Sequence, residues 1–415
     1  MAPRLKSLSP TCVYLAIFGA SFLGLFPLSF KNLRYSIYYR NPFHDLSAEM
    51  AFHLKQNDLR VSAAQQFLSS LSQHNASLSF INPAADQQQA DIDVMIITTN
   101  RVRPLQEKQY NPKFLTQVLW RFLLNLNSAE TRALPWKITL SVCNVDTKKN
   151  DEARNFSSFV HYFQRWSREP ENLAELNIKE KEKQDYAFCL EQSLKSNPRY
   201  SLLVEDDAFP HPQLFYILYY LLEMRKTQRA SHALKPNTVF YKLYHPERLL
   251  GFWSLEPERF LQLLSFAVLC GSCVAFVKDQ VMSFIGQRRQ FNLCAWLWIV
   301  VYFLLLAITV SRQHLIELRY ISRTLFTVSP AQSCSTQGML CMADRAQHWL
   351  HYMQTHTCQQ NYAKDFMLDD YIHGNNLEGL IVEPNLFVHI GFVSSLSQKL
   401  LNPSLLYYPE WFELF

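Results

Sequence analysis

Three consecutive carboxylates, Glu205-Asp206-Asp207, follow directly on the apolar run Leu202-Leu203-Val204. Acids at the end of a buried strand crowd like charges into a poorly solvated place, which is costly unless something positive neutralises them. A hard divalent cation bound through oxygens, with substrate phosphates completing its shell, is one economical solution. The competing reading is a solvated acidic turn, and the buried strand before the triplet weighs against it. Asp207, with Glu205 or Asp206, is the expected grip on a metal and diphosphate. His389, in the stretch Glu383-Pro384-Asn385-Leu386-Phe387-Val388-His389-Ile390-Gly391, is a further candidate ligand. A proton acceptor is expected where Tyr362-Ala363-Lys364-Asp365 opens a helix: Asp365 is the first choice, with Asp369 and Asp370 as rivals.

These residues need a scaffold, and the pattern from Asp91 onward reads as α/β. Val94–Thr98, Trp136–Val145, Tyr200–Val204 and Thr238–Leu243 are short apolar runs of the kind buried in a parallel sheet. Lys113–Leu126 and Ile178–Leu194 read as helices between them. Alternating strands and helices predict a doubly wound sheet, with ligands beyond the strand C-termini. Thr99, Asn100 and Arg101, and Asn144 and Asp146, end the first two strands, where a nucleoside would be gripped; ordinary turn chemistry is the equal alternative there. Lys183 and Asp185 sit early on the helix before the acidic strand, facing a donor or forming a solvated helix end. Lys242 and His245, in Tyr241-Lys242-Leu243-Tyr244-His245-Pro246-Glu247-Arg248, either line a site or anchor a span.

Composition removes several alternatives. Glycine is scarce, 9 of 415 residues, against a usual share of about 7%. Neither GxGxxG nor GxxxxGK[ST] occurs, which argues against Walker-type hydrolysis and a standard dinucleotide fingerprint. A net charge of +5, widely dispersed, gives no nucleic-acid groove. Three uncharged stretches, Pro10–Phe30, Phe260–Val277 and Phe291–Val310, approach the length that crosses a bilayer core. A cleaved signal peptide is the alternative for the first, and its length and the following Lys31, Arg34 and Arg40 weigh for an uncleaved anchor. Lys278, Arg288 and Arg289 place the short loop between the last two in the cytosol, and Arg4 and Lys6 place the N-terminus there too. The chain then divides into a cytosolic tail (1–9), a membrane helix (10–30) and a lumenal helical stem (31–90). After these come the first part of a lumenal catalytic domain (91–259), a membrane helix (260–277), a cytosolic loop (278–290), another membrane helix (291–310) and the second lumenal part (311–415). The sequons Asn75-Ala76-Ser77 and Asn155-Phe156-Ser157 fall on the lumenal side, as glycosylation acceptors must. So do Cys143, Cys189, Cys334, Cys341 and Cys358, in a compartment where disulfides persist.

Taken together, several motifs resemble the Golgi post-GPI-attachment N-acetylgalactosaminyltransferases. They are Glu180-Lys181-Glu182-Lys183-Gln184-Asp185-Tyr186, Val204-Glu205-Asp206-Asp207-Ala208, the 241–248 stretch, Val382-Glu383-Pro384-Asn385-Leu386 and His389-Ile390-Gly391. The resemblance covers roughly residues 90–405. It implies a glycosyltransferase-A-like mixed sheet split by an inserted transmembrane hairpin. It also implies a multi-pass Golgi membrane protein with a lumenal catalytic domain, acting on GPI-anchored proteins at the membrane. The activity implied is transfer of GalNAc from UDP-GalNAc to the first mannose of the GPI core, with Glu205-Asp206-Asp207 standing for a manganese-binding DxD motif. Inversion needs no covalent nucleophile, only a base and a metal. A weaker resemblance, through Asp185-Tyr186 and the 386–391 stretch, reaches N-glycan-branching UDP-GlcNAc transferases. A non-catalytic GPI-protein binding or trafficking factor is the alternative of another class. Among the lumenal cysteines the expected pair is Cys143–Cys189, linking the second strand's end to the donor-side helix.

Overall fold

The computed structural model describes residues 9–73, 89–105, 108–147, 150–156, 160–166, 177–224, 237–253, 257–286, 292–333, 335–394 and 399–413. Asn75, Cys334, Arg4, Lys6, Arg288 and Arg289 therefore lie outside the described residues. The chain separates into two units, 1–44 with 246–318, and 45–245 with 319–415.

The larger unit is a mixed α/β fold. Its strands are, in chain order, β1 (Ile92–Thr98), β2 (Arg103–Leu105), β3 (Lys108–Tyr110), β4 (Ile138–Asn144), β5 (His161–Gln164) and β6 (Tyr200–Glu205), followed by β7 (Ala208–Pro210), β8 (Thr238–Lys242), β9 (Thr327–Pro330), β10 (Gly338–Met342), β11 (Glu378–Glu383) and β12 (Phe387–His389). Eight of them form one sheet in the order β5-β4-β1-β6-β10-β8-β11-β9. β5, β4, β1 and β6 are mutually parallel, and so are β8 and β11. β10 is inserted antiparallel between β6 and β8, with Met339 opposite both Leu203 and Lys242. A strand from beyond the apolar hairpin thus completes a sheet begun before it, so this fold needs both pieces of chain.

Both faces of the sheet are covered, which explains why its strands read as continuous apolar runs. On one face Ile92, Val94 and Ile96 pack with Phe114, Val118 and Phe122 of the helix Phe114–Asn127. On the other, Leu203, Met339 and Cys341 pack with Tyr186 and Leu190 of the helix Ile178–Leu194, and with Trp349 and Met367 from helices Ala343–Thr355 and Lys364–Gly374. The helix Leu46–Gln73, expected as a stem, is docked on this unit through a buried stripe: Glu49, His53, Asn57, Arg60, Ala64 and Leu68. Their spacing of three and four is one face of a helix. Asn57 donates to the Tyr110 hydroxyl at 2.9 Å, Arg60 Nε to Gln117 Oε1 at 2.9 Å, and Gln117 Nε2 to Asn57 Oδ1 at 2.9 Å.

Among the described residues, the smaller unit contains three helices long and apolar enough to cross a membrane: Pro10–Ser29, Pro257–Phe284 and Leu293–Val310. The second continues past the uncharged run that ends at Val277, because Lys278, Asp279 and Gln280 bound the apolar stretch without breaking the helix. The hairpin helices meet at Gly271, where an added Cβ would lie 2.7 Å from Val300 Cγ2; a small residue lets them approach closely. Phe18, Phe22 and Phe26 of the first helix surround Tyr302 of the third. The first helix widens to a π-helical segment over Ala20–Leu25. There the Tyr38 hydroxyl donates to the Phe22 carbonyl at 2.5 Å, and the Tyr302 hydroxyl to Ser21 Oγ at 3.0 Å. The Phe22 carbonyl in this irregular turn thus has a side-chain donor within the same unit.

Candidate active site

The acidic triplet lies where β6 ends, in the interior of the sheet. β1 runs beside β6 with Ile97 opposite Glu205, which brings the residues after β1 against the turn. Thr98 Oγ1 donates to Asp206 Oδ2 at 2.8 Å and the Thr99 amide to the same oxygen at 3.3 Å. Arg101 Nη2 lies 2.5 Å from Asp206 Oδ1 and 3.1 Å from Asp207 Oδ2, while its Nη1 donates to the Val393 carbonyl at 2.8 Å. On the far side, β12 pairs with β7 and puts His389 opposite Ala208. His389 Nε2 is 3.4 Å from Asp207 Oδ2, and the Ile390 amide donates to the Asp207 carbonyl at 2.9 Å. Glu205 turns to different company: Lys364 Nζ is 3.9 Å away and also pairs with Glu182.

The triplet is thus divided, with Asp206 and Asp207 gathered by Arg101 and Glu205 facing Lys364. The electrostatics follow that division. Burial lifts the Glu205 carboxyl to about 7, against the pull of Lys364, and neighbouring Asp207 adds to the rise. Burial also raises Asp206, with Arg101 opposing. At Asp207 burial works against the charge, but Arg101 and His389 overcome it and hold the carboxyl below the usual carboxylate range. Burial pulls His389 down, and Asp207 outweighs it, so this imidazole is raised.

These donors suit a hard cation in part. Among the described residues, no three His, Cys, Asp or Glu side chains converge as a metal cage. Asp206 spends both carboxylate oxygens on Thr98, Thr99 and Arg101. Asp207 Oδ1, however, is buried with no hydrogen-bond partner among the described residues, and Glu205 retains 28% side-chain exposure. One or two carboxylates plus substrate phosphates suffice for a magnesium-like ion. Asp207 and Glu205 are therefore the carboxylates left open to a cation, and the donor set does not enclose one.

The other expected residues separate into two groups. Thr99, Asn100, Asn144 and Asp146 come together at the ends of β1 and β4: Asp146 Oδ2 accepts from the Asn100 amide at 3.0 Å and Thr99 Oγ1 at 3.4 Å. Asn144 Nδ2 donates to Gln164 Oε1 at 2.8 Å. Asp365 lies in the first turn of its helix, half-buried beside Lys364, with Oδ2 accepting from the Ser335 amide at 2.9 Å. Asp370 accepts from the Tyr362 hydroxyl at 2.5 Å, and Asp369 is half-buried. Lys183, Asp185, Lys242 and His245 each have protein partners of their own. Lys183 Nζ donates to the carbonyls of Met353 and His356, both at 2.8 Å, closing the end of helix Ala343–Thr355. Asp185 pairs with Arg165 and, at 2.7 Å, with Lys181. Lys242 Nζ reaches the Gln332 carbonyl at 2.5 Å. His245 is fully buried, and its backbone exchanges two hydrogen bonds with the Asn385 side chain, at 3.0 and 2.8 Å. Cys143 and Cys189 form a disulfide, joining the end of β4 to the helix Ile178–Leu194. Asn155 is exposed at the end of the short helix Asp151–Asn155.

Sequence reasoning named Arg101 and His389 but not Lys364 as a residue facing the triplet. Glu182 and Lys364 are linked across 182 positions, and no local pattern announces such a pair. Gly391 carried more signal than it was given, since a Cβ there would stand 2.2 Å from Asp207 Oδ2. A family model matches residues 92–388; it is described as GPI-N-acetylgalactosamine transferase PGAP4. The match spans the acidic turn and both sides of the apolar hairpin, and ends one residue before His389.

Proposed function

The chain belongs to the GPI-N-acetylgalactosamine transferase family, a family of glycosyltransferases, and on that premise we propose that it transfers GalNAc from UDP-GalNAc to the first mannose of the GPI core on anchored proteins. In this reading the larger unit is a glycosyltransferase-A-like domain in the Golgi lumen, and the apolar helices hold it to that membrane. The observation that carries it is the acidic turn at the end of β6, with a buried Asp207 oxygen that has no partner among the described residues.

The reaction proposed is a single inverting displacement. The acceptor hydroxyl attacks the anomeric carbon, the bond to the UDP oxygen breaks, and the hydroxyl proton passes to Asp365. A divalent cation such as Mn²⁺, when bound, neutralises the departing diphosphate. Asp207 and Glu205 are the side chains that would hold it; Arg101 and His389 keep Asp207 ionised and in place. Thr99, Asn100 and Asp146 form the strand-end ledge for the nucleoside.

The test is a panel of UDP-sugars offered to a GPI-anchored acceptor, with and without Mn²⁺. Transfer from UDP-GalNAc alone is expected, lost in Asp207→Ala with UDP-sugar binding weakened. A preference for UDP-GlcNAc would favour the N-glycan-branching alternative, and failure with every donor a binding or trafficking role. Transfer insensitive to chelation would remove the metal and leave the neutralising work to Arg101, His389 and Lys364. Asp365→Asn should retain UDP binding while turnover falls by the 10²–10⁴-fold typical of losing a general base.

A further inference from the structure

The smaller unit holds a segment that is neither span nor sheet, residues 247–253, and its polar backbone is satisfied in an unusual way. The Glu247 carbonyl accepts from Gln313 Nε2 at 3.0 Å. The Leu249 and Gly251 carbonyls accept from Arg259 Nη1 at 2.6 and 2.8 Å, and the Leu250 carbonyl from Arg312 Nη1 at 3.0 Å. Both arginines are buried, at 2% and 3% exposure. They stand at the start of the helix Pro257–Phe284 and just past the end of Leu293–Val310. Ser311, in the left-handed region at φ 81°, ends the latter abruptly and lets Arg312 and Gln313 follow at once. Side chains tell the opposite story: Leu249, Trp253 and Phe260 are 40%, 86% and 59% exposed. Ile37, 62% exposed, is tied to the same end by its amide, which donates to the Thr309 carbonyl at 3.2 Å.

We propose that this turn, with Ile37 and Phe260, is a collar that sits in the interfacial layer of the bilayer. Irregular backbone enters a poorly hydrated region only when its polar groups are satisfied from within, and four carbonyls here are satisfied by side chains of the same unit. Trp is favoured at the headgroup level, and the exposed guanidinium of Arg248 in the same turn suits lipid phosphates. The exposed apolar side chains continue into Leu261 and Leu264 on the flank of the adjoining helix, so a lipid surface is the occupant that covers both without a break. The inference rests on reading the three apolar helices as membrane spans.

The experiment uses the full chain in lipid nanodiscs, and takes the difference in tryptophan emission between the wild type and Trp253→Phe. Trp253 is exposed, so the replacement leaves the fold intact. Lipids brominated near the headgroup end of the chains, or near their methyl ends, serve as quenchers. The expected difference emission is shifted to the blue of that of water-exposed indole and loses most of its intensity to the shallow quencher, less to the deep one. Emission typical of water, untouched by either quencher, would overturn the collar. A blue shift without lipid quenching would overturn it too, pointing to a protein partner or a second copy. Carbonate extraction checks the premise separately. Release from membranes would sink the span reading and the collar with it, whereas retention with a water-exposed Trp253 sinks the collar alone.

Discussion

At Gly391 the main chain passes so close to the acidic turn that a Cβ would stand 2.2 Å from Asp207 Oδ2. No rotamer change of a far-off side chain relieves that clash, because Asp207 is held by Arg101 on one side and His389 on the other. Gly391→Ala is therefore expected to displace the Asp207 carboxylate, at an overpacking cost of about 1–3 kcal/mol. Transfer and UDP-sugar binding should both fall, whereas Gly374→Ala, with nothing within 4 Å of the new methyl, should leave both unchanged. Wild-type binding by Gly391→Ala would show that the turn does not need this close approach. A second residue sets an acid limit. His211 is buried among Tyr320, Phe326 and Trp411, and its Nδ1 accepts from the Gln213 amide at 3.1 Å. Burial, with Arg121 adding to it, lowers this imidazole from 6.5 to about 3. Between those values the unfolded chain takes up a proton that the folded one refuses. Stability is accordingly lost as pH falls below about 6.5, by roughly 1.4 kcal/mol per pH unit from this group. Thermal unfolding of His211→Asn should be less acid-sensitive than the wild type by that increment; an identical slope would acquit His211.

Among the elements, those whose sequence carries their own instructions were legible. The helix Ile178–Leu194 falls where its pattern placed it, with Asn177 capping its start. The apolar strands β1 and β6 lie within two residues of their apolar runs. β10 was not legible: Gly338-Met339-Leu340-Cys341-Met342 contains no β-branched residue, and its place between β6 and β8 is decided by a sheet assembled from distant chain. The same limit applies at the site. The acidic triplet, Arg101 and His389 were legible as residue types, but the approach of Lys364 to Glu205 was not, nor were the Met353 and His356 carbonyls that accept from Lys183, because those partners lie far away in sequence. Docking of the helix Leu46–Gln73 was hidden for a related reason, since its buried stripe is largely polar. That polarity gives a sharp expectation. Gln117→Leu removes the acceptor of Arg60 and a donor to Asn57 inside a buried interface, and leaving such groups unsatisfied costs about 1–3 kcal/mol each. Thermal unfolding should show that loss, and Asn57→Leu in the same background should add less than it does alone.

On the scale of the molecule, the question is why a sheet-based unit should be interrupted by 246–318, a segment of the other unit that holds two of the apolar helices. The sheet itself does not require the interruption: β6, β10 and β8 pair through backbone hydrogen bonds from chain on either side of it. An acceptor carried on a lipid anchor, as the proposed function requires, keeps its sugars near the bilayer. An enzyme on a single flexible tether samples a wide volume and meets that layer seldom, whereas extra attachment points raise effective concentration and fix orientation together. Replacing 246–318 by a flexible soluble linker, with the helix Pro10–Ser29 kept, is thus expected to preserve UDP-sugar binding and the Cys143–Cys189 disulfide. Transfer to GPI-anchored proteins in membranes should fall by the 10²–10⁴-fold that multivalent attachment contributes, while transfer to a delipidated acceptor in solution should change little. Equal losses on both acceptors would mean that the segment supports the fold or the chemistry instead. Full transfer to the membrane-bound acceptor would leave the apolar hairpin as anchorage and nothing more.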